Sequence, residues 1–261
     1  MEQRIKLEEM TWPEIEAALR AGYETIIIPS GSIEQHGPHL PLLTDCLIGE
    51  RVAELTASKL GRTLVAPIIR PGLSYHHMMF PGSLTVSPEV FTRLYEEYCL
   101  ALARHGFRTF ILTSGHGGNF AFLDGIGFYL MDFLRVHGFQ TRVVPEVYGA
   151  GYVELQQRLV AEQFGVPVEE AQWHADVLET ACMLAIRPDL VRMDKAARGW
   201  ISADGSSIDL YAESLRVLTP NGIIGDARRA TREMGVALLE RLSDWMAERL
   251  RRRLSWVRAG E

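Results

Sequence analysis

The sequence predicts an α/β fold, a three-layer α/β/α sandwich around a mostly parallel sheet, and three observations carry that expectation. Short apolar runs at 24–29, 63–70, 108–114 and 141–148 alternate with helical patterns, the order that builds right-handed crossovers. The runs ETIIIP and RTFILTS stay apolar rather than alternating with polar residues, which suits strands buried on both faces. Polar segments at 30–45, 72–83 and 114–119 follow strand runs, and ligands of open parallel sheets sit beyond the carboxyl ends of the strands.

Each element has its own local reason. Residues 12–21 (WPEIEAALRA) read as a short amphipathic helix with Pro13 in its first turn. The strand at 24–29 opens into a loop, 30–45, dense in Gly, Pro and His, and a helical pattern covers 47–60. After the run at 63–70 comes the punctuated segment PGLSYHHMMFPGS. Ser87 and Pro88 read as an N-cap and a first helical position, opening a helix that runs to about His105. The strand at 108–114 leads directly into GHGGN, and a helix then reaches about His137. A strand at 141–148 and helical patterns near 152–164, 175–187 and 229–252 complete the chain. No linker, repeat or composition shift interrupts residues 1–261, so one domain is expected.

Composition excludes several classes. An apolar fraction of 47% and a charged fraction of 23% match an ordinary globule rather than a disordered or disulfide-scaffold chain. A net charge of −6 argues against nucleic acid or an anionic membrane surface, which both call for surplus Lys and Arg. The N-terminus has no apolar signal-peptide core, and no run approaches the ~18 apolar residues of a membrane span. Cys46, Cys99 and Cys182 lack C-x-x-C spacing and read as small buried residues, so a reduced, cytoplasmic setting is expected. The Arg-rich turn at 249–253 reads as a solvated helix face.

Three segments carry candidate chemistry. In the first, Glu34 and His36 stand two apart in extended chain, so their side chains share a face, and Asp45 returns just before a helix. Carboxylate oxygens and imidazole nitrogens together suit Zn, Mn or Fe, and the scattered cysteines leave no thiolate site. In the second, glycines flank His116 at the end of the clearest strand, letting backbone approach a ligand closely. In the third, Trp173, His174, Asp176 and Glu179 surround a helix start, where Asp176 also suits the helix dipole. No phosphate-binding glycine motif is present.

Together the segments resemble the creatininase, or creatinine amidohydrolase, family. SGSIEQHGPHLPLLTD is similar to its first signature, SGHGGN to its second and HADVLET to its H-A-G-x-x-E-T segment. FPGS and the block Gly222-Ile223-Ile224-Gly225-Asp226 are similar to further family blocks, so the likeness spans about 24–245. It implies two divalent metal ions (Zn, Mn or Fe) held by Glu34, His36, Asp45, His116 and Glu179, with Asp45 bridging. Three carboxylates and two neutral imidazoles carry −3 against +4 from the ions, which leaves +1 for an oxyanion or anionic substrate. The resemblance further implies catalytic roles for His174 and Glu179, and a homo-oligomer, a hexamer in the family. His77, Trp173 and Asp176 are the expected substrate contacts, while Gln35 and His39 stand where they would orient ligands. The implied activity is hydrolysis of a C–N amide-type bond in a cyclic amide, a formamide or a peptide tail. Ring opening of an oxidised inositol or sugar and a non-catalytic metal-binding role are the alternatives. Two positions depart from the pattern: Gly118 stands where creatininase itself carries Glu, and Asp176 replaces Gly. The first departure aligns the chain with the GHGGN branch.

Overall fold

The computed structural model describes residues 4–147, 150–201 and 214–255. Helix α1 (Trp12–Arg20) begins at a capping box in which Thr11 and Glu14 exchange side-chain and backbone bonds. Strand β1 (Thr25–Ser30) leads to α2 (Thr44–Leu60) and the short β2 (Thr63–Val65). Helix α3 (Pro88–His105) starts at Ser87, whose Oγ accepts from Val90 N, and ends at Gly106 in the left-handed region. Then follow β3 (Thr109–Ser114), α4 (Phe120–Val136), β4 (Arg142–Pro145), α5 (Ala150–Phe164), α6 (Val177–Ile186), the single turn α7 (Leu215–Leu218) and α8 (Arg232–Ser255).

The four strands pair in the order β2-β1-β3-β4, all parallel. Alternation along the strands separates two cores. Ile27, Val65, Ile111 and Val144 face α2, α6 and α8, whereas Ile26, Ile28, Phe110 and Leu112 face α3 and α4. The three-layer α/β/α expectation therefore holds, and the apolar strand runs are explained by burial on both faces.

Three expected boundaries move for physical reasons. The run at 63–70 pairs as a strand only over Thr63–Val65, because Pro67 lacks the N–H a ladder needs. Pro145 likewise ends β4, and residue 148 of that expected strand lies outside the described residues. Helix α2 starts at Thr44, which puts Asp45 inside the first turn rather than before it, where exposed N–H groups favour a carboxylate. The Arg-rich turn is also not simply solvated: Arg249 and Arg253 pair with Glu146, 1% exposed, just past β4. All three cysteines are free and buried. Among the described residues no helix is long and apolar enough to cross a membrane.

Candidate metal centre

The carboxyl edge of the sheet gathers the three polar segments. The loop after β1 supplies Glu34 and His36, the first turn of α2 supplies Asp45, and the loop after β3 supplies His116. The entry to α6 brings His174 and Glu179. Three sets have ligand atoms within 4.8 Å of one another: Glu34, Asp45 and His116; His36, Asp45 and Glu179; and Glu34, His36 and His174. Burial is deep, with His36 fully buried, Glu34 at 1% and Asp45 at 2% exposure.

Proton positions show what the cluster is suited to hold. His36 Nδ1 donates to the carbonyl of Glu34 at 3.1 Å, so its Nε2 faces Asp45 Oδ1 at 3.0 Å and Glu179 Oε2 at 3.6 Å with a lone pair. His116 Nε2 lies 3.2 Å from both the carbonyl of Leu73, which can only accept, and Ser74 Oγ, and its Nδ1 lies 3.2 Å from Glu34 Oε2 and 3.1 Å from Asp45 Oδ2. Among the described residues neither of those two oxygens has a hydrogen-bond partner of acceptable geometry despite the short separation. Lone pairs thus converge on lone pairs, and only added positive charge relieves that arrangement. Without a cation the charge must come from protons. Burial alone would lower the His36 pKa, but Asp45, Glu179 and Glu34 override it and hold it near 10. His116 is raised well above its usual value against the same desolvation, chiefly by Glu34. Burial pushes the Glu179 carboxyl up to about 8, opposed by His36, while His36 and His116 outweigh desolvation to depress Asp45.

Supporting contacts show how further motif residues brace the cluster. Asn119 Oδ1 accepts from Leu73 N at 3.0 Å and its Nδ2 donates to the carbonyl of Gly31 at 3.1 Å, so it ties the β1 and β3 loops to the carbonyl that orients His116. Its position at the end of SGHGGN was the available signal. Ala175 adopts φ +53°, a left-handed conformation costly for a residue with a Cβ, and its N–H reaches Glu179 Oε2 at 2.6 Å. Ile224 N donates to the carbonyl of His174 at 2.9 Å, so the block at 222–226 anchors that histidine. His39 Nε2 bonds Thr180 Oγ1 at 2.8 Å, linking the loop to α6.

A cavity of about 540 Å³ opens over the centre, within the roughly 300–1,000 Å³ common for small-molecule sites. Glu34, Asp45, His116, His174 and Glu179 line it, together with His76, His77 and Trp173. Phe120, Tyr152, Val153 and Leu178 add an apolar wall. Trp173, 38% exposed, stands at its rim. His77 borders it, yet both its ring nitrogens are engaged, by Gln35 at 3.2 Å and by Glu34 at 3.2 Å. Asp176 is not among the described lining residues; it is fully buried and caps α6, its Oδ1 accepting from Leu178 N and Glu179 N. Among the described residues its Oδ2 has no hydrogen-bond partner of acceptable geometry, and burial raises its pKa to about 7. A raised carboxyl pKa means the folded chain holds a proton the unfolded chain has lost, so stability falls as pH climbs from about 4 to about 7. Asp176→Asn keeps the cap and removes the charge. In metal-free protein it is expected to flatten that loss, worth on the order of a few kcal/mol, in urea melts compared at pH 5 and pH 8.

A parallel-sheet α/β protein with a buried cluster of imidazoles and carboxylates at its carboxyl edge, of a kind that could hold a metal ion, is the class that fold and site define. The family model described as "Creatininase: Creatinine amidohydrolase" matches residues 8–250, and the chain belongs to that family. It is 30% identical to the creatinine amidohydrolase of Pseudomonas putida, over 96% of this chain and 98% of the relative. It is 27% identical to the 3-dehydro-scyllo-inosose hydrolase of Thermotoga maritima, over 95% and 83%, and 28% identical to the mycofactocin precursor peptide peptidase of Mycolicibacterium smegmatis, over 87% and 84%. Among solved structures it is similar to a manganese creatininase, at 29% identity and TM-score 0.80 over 96% of this chain and 99% of that one.

Proposed function

We propose that this chain is a divalent-metal-dependent hydrolase that cleaves a C–N amide-type bond. The observation that carries it is the pair of histidines whose tautomers are set by backbone carbonyls so that lone pairs face carboxylate oxygens. Glu34 and His116 would hold one ion, His36 and Glu179 a second, and Asp45 would serve both. Bound there, the two cations would supply hydroxide from water near neutral pH and polarise the scissile carbonyl. The chain's own groups do the rest. His174, which burial and the neighbouring His36 hold neutral, suits donating a hydrogen bond to the scissile group from its one N–H, and would hand a proton to the departing nitrogen only after taking one from the attacking water. The apolar wall of Phe120, Tyr152, Val153 and Leu178 excludes water and favours an amide with an apolar substituent over a bare polar ring. A cyclic amide, a formamide and a peptide tail remain the substrate classes. The second reading, opening of an oxidised inositol ring, draws support from the Thermotoga maritima relative. Self-association into a homo-oligomer, a hexamer by family resemblance, belongs to the same reading; Tyr75, 82% exposed beside the site segment, gives it an apolar contact to bury.

The test is metal analysis of protein purified without chelators, followed by Zn, Mn and Fe reconstitution across a panel of lactams, formamides, peptides and inosose-type rings. Protein with no bound metal and no turnover anywhere in the panel would remove this reading, and metal binding without turnover would leave the non-catalytic alternative. Protons and metal compete for His36 Nε2, which keeps its proton up to about pH 10 in the metal-free centre. Metal affinity is therefore expected to rise steadily from roughly pH 6 to 9, as chelator competition will show.

A further inference from the structure

One carboxamide decides where two histidines carry their protons. Gln35 is 5% exposed, and its Oε1 accepts from Gly37 N at 2.9 Å, which fixes which end of the amide is oxygen. Its Nε2 then faces three groups: His174 Nε2 at 2.8 Å, His77 Nδ1 at 3.2 Å and the carbonyl of Gly222 at 3.2 Å. An amide nitrogen cannot accept, so neither ring nitrogen facing it can carry a proton, and its two N–H protons are shared among the three acceptors, the shortest contact being to His174. The proton of His77 is thereby placed on Nε2, which lies 3.2 Å from Glu34 Oε1. That bond occupies Oε1 and leaves Glu34 Oε2, which has no hydrogen-bond partner of acceptable geometry among the described residues, facing His116. The proton of His174 is placed on Nδ1. The glycine of the 222–226 block makes room for this: a Cβ on Gly222 would come within 1.9 Å of Gln35 Oε1.

We infer that Gln35 is a positioning residue of the centre, setting His77 as the donor that orients Glu34 and fixing the proton of His174, which lines the cavity, on Nδ1. His77 acts through Glu34 and is a positioning residue too, rather than a substrate contact. The metal-affinity part rests on the function proposed above; the proton positions do not.

The experiment is two-dimensional nitrogen NMR of ¹⁵N-histidine-labelled protein, with His77 and His174 assigned by His77→Gln and His174→Gln. Wild-type protein is expected to show His77 as the Nε2–H tautomer and His174 as the Nδ1–H tautomer, with or without added zinc. Gln35→Glu, which offers only acceptors, is expected to invert both and to weaken zinc binding by roughly 10–100-fold in chelator competition. Gly222→Ala, which displaces the amide without removing it, is expected to broaden or mix the same signals. The opposite tautomers in wild-type protein would overturn the inference even if no variant folds. So would a Gln35→Glu protein with unchanged tautomers. Wild-type protein that shows the expected tautomers but binds no zinc would leave these assignments standing and count against the proposed function alone.

Discussion

Asp45→Asn is expected to strip metal from the centre and to lower hydrolysis by about 10³–10⁴-fold, the equivalent of losing several kcal/mol of charge stabilisation in the transition state. Asp45 is the residue common to the Glu34–His116 pair and the His36–Glu179 pair. Its two oxygens divide the work, Oδ1 lying 3.0 Å from His36 Nε2 and Oδ2 3.1 Å from His116 Nδ1. Asparagine keeps the shape but loses the charge, so neither pair retains two carboxylates. It also removes the leading carboxylate contribution that holds the His36 pKa near 10, so imidazole signals of metal-free protein should titrate at lower pH. Metal content by mass spectrometry and kcat/KM on a reconstituted substrate are the measurements. Full stoichiometry with unchanged kcat/KM would sink the shared-ligand assignment.

Gly118→Ala is expected to weaken metal binding by roughly 10–100-fold and to cost on the order of 1–3 kcal/mol of stability. A Cβ at this position would lie 2.4 Å from His116 Nε2 and 2.5 Å from the carbonyl of Leu73. Those are the two atoms whose hydrogen bond sets the His116 tautomer, and neither can swing away as a flexible side-chain tip would. Gly118→Glu should be at least as damaging, and it should not confer creatinine hydrolysis, because the space a side chain needs is already filled by that bond. Gly117→Ala is the control: its Cβ would meet nothing nearer than Phe120 at 4.0 Å, and its stability should stay within about 0.5 kcal/mol of the parent. Isothermal titration with zinc and urea melts of the three variants decide the matter. Equal affinities for the Gly117 and Gly118 variants would refute the role given to this hydrogen bond.

Much of this was legible in the chain alone. The parallel sheet followed from ETIIIP and RTFILTS, because a strand buried on both faces has no polar alternation to show. The segments holding Glu34, His36, Asp45, His116 and Glu179 stood out because three separate strand or helix ends each carried imidazole or carboxylate. Strand lengths were less legible, since Pro67 and Pro145 interrupt hydrogen bonding without interrupting apolar character. The expected part of Asp176 in substrate contact meets a buried helix cap in the structure; one sequence cannot tell a cap from a site wall, because Asp serves both.

Local chemistry therefore determined the layers, the sheet edge and the residue types available there: periodicity and motif spacing act within a few residues and survive in a linear string. Only the tertiary structure decided which nitrogen of each histidine faces the carboxylates. For His116 and His174 that depends on partners far along the chain, Leu73 and Gln35, whereas His36 is set locally by the carbonyl of Glu34. Whether a polar group is a ligand, a cap or a support is set by what occupies its remaining hydrogen-bond positions, and folding alone brings those occupants into place.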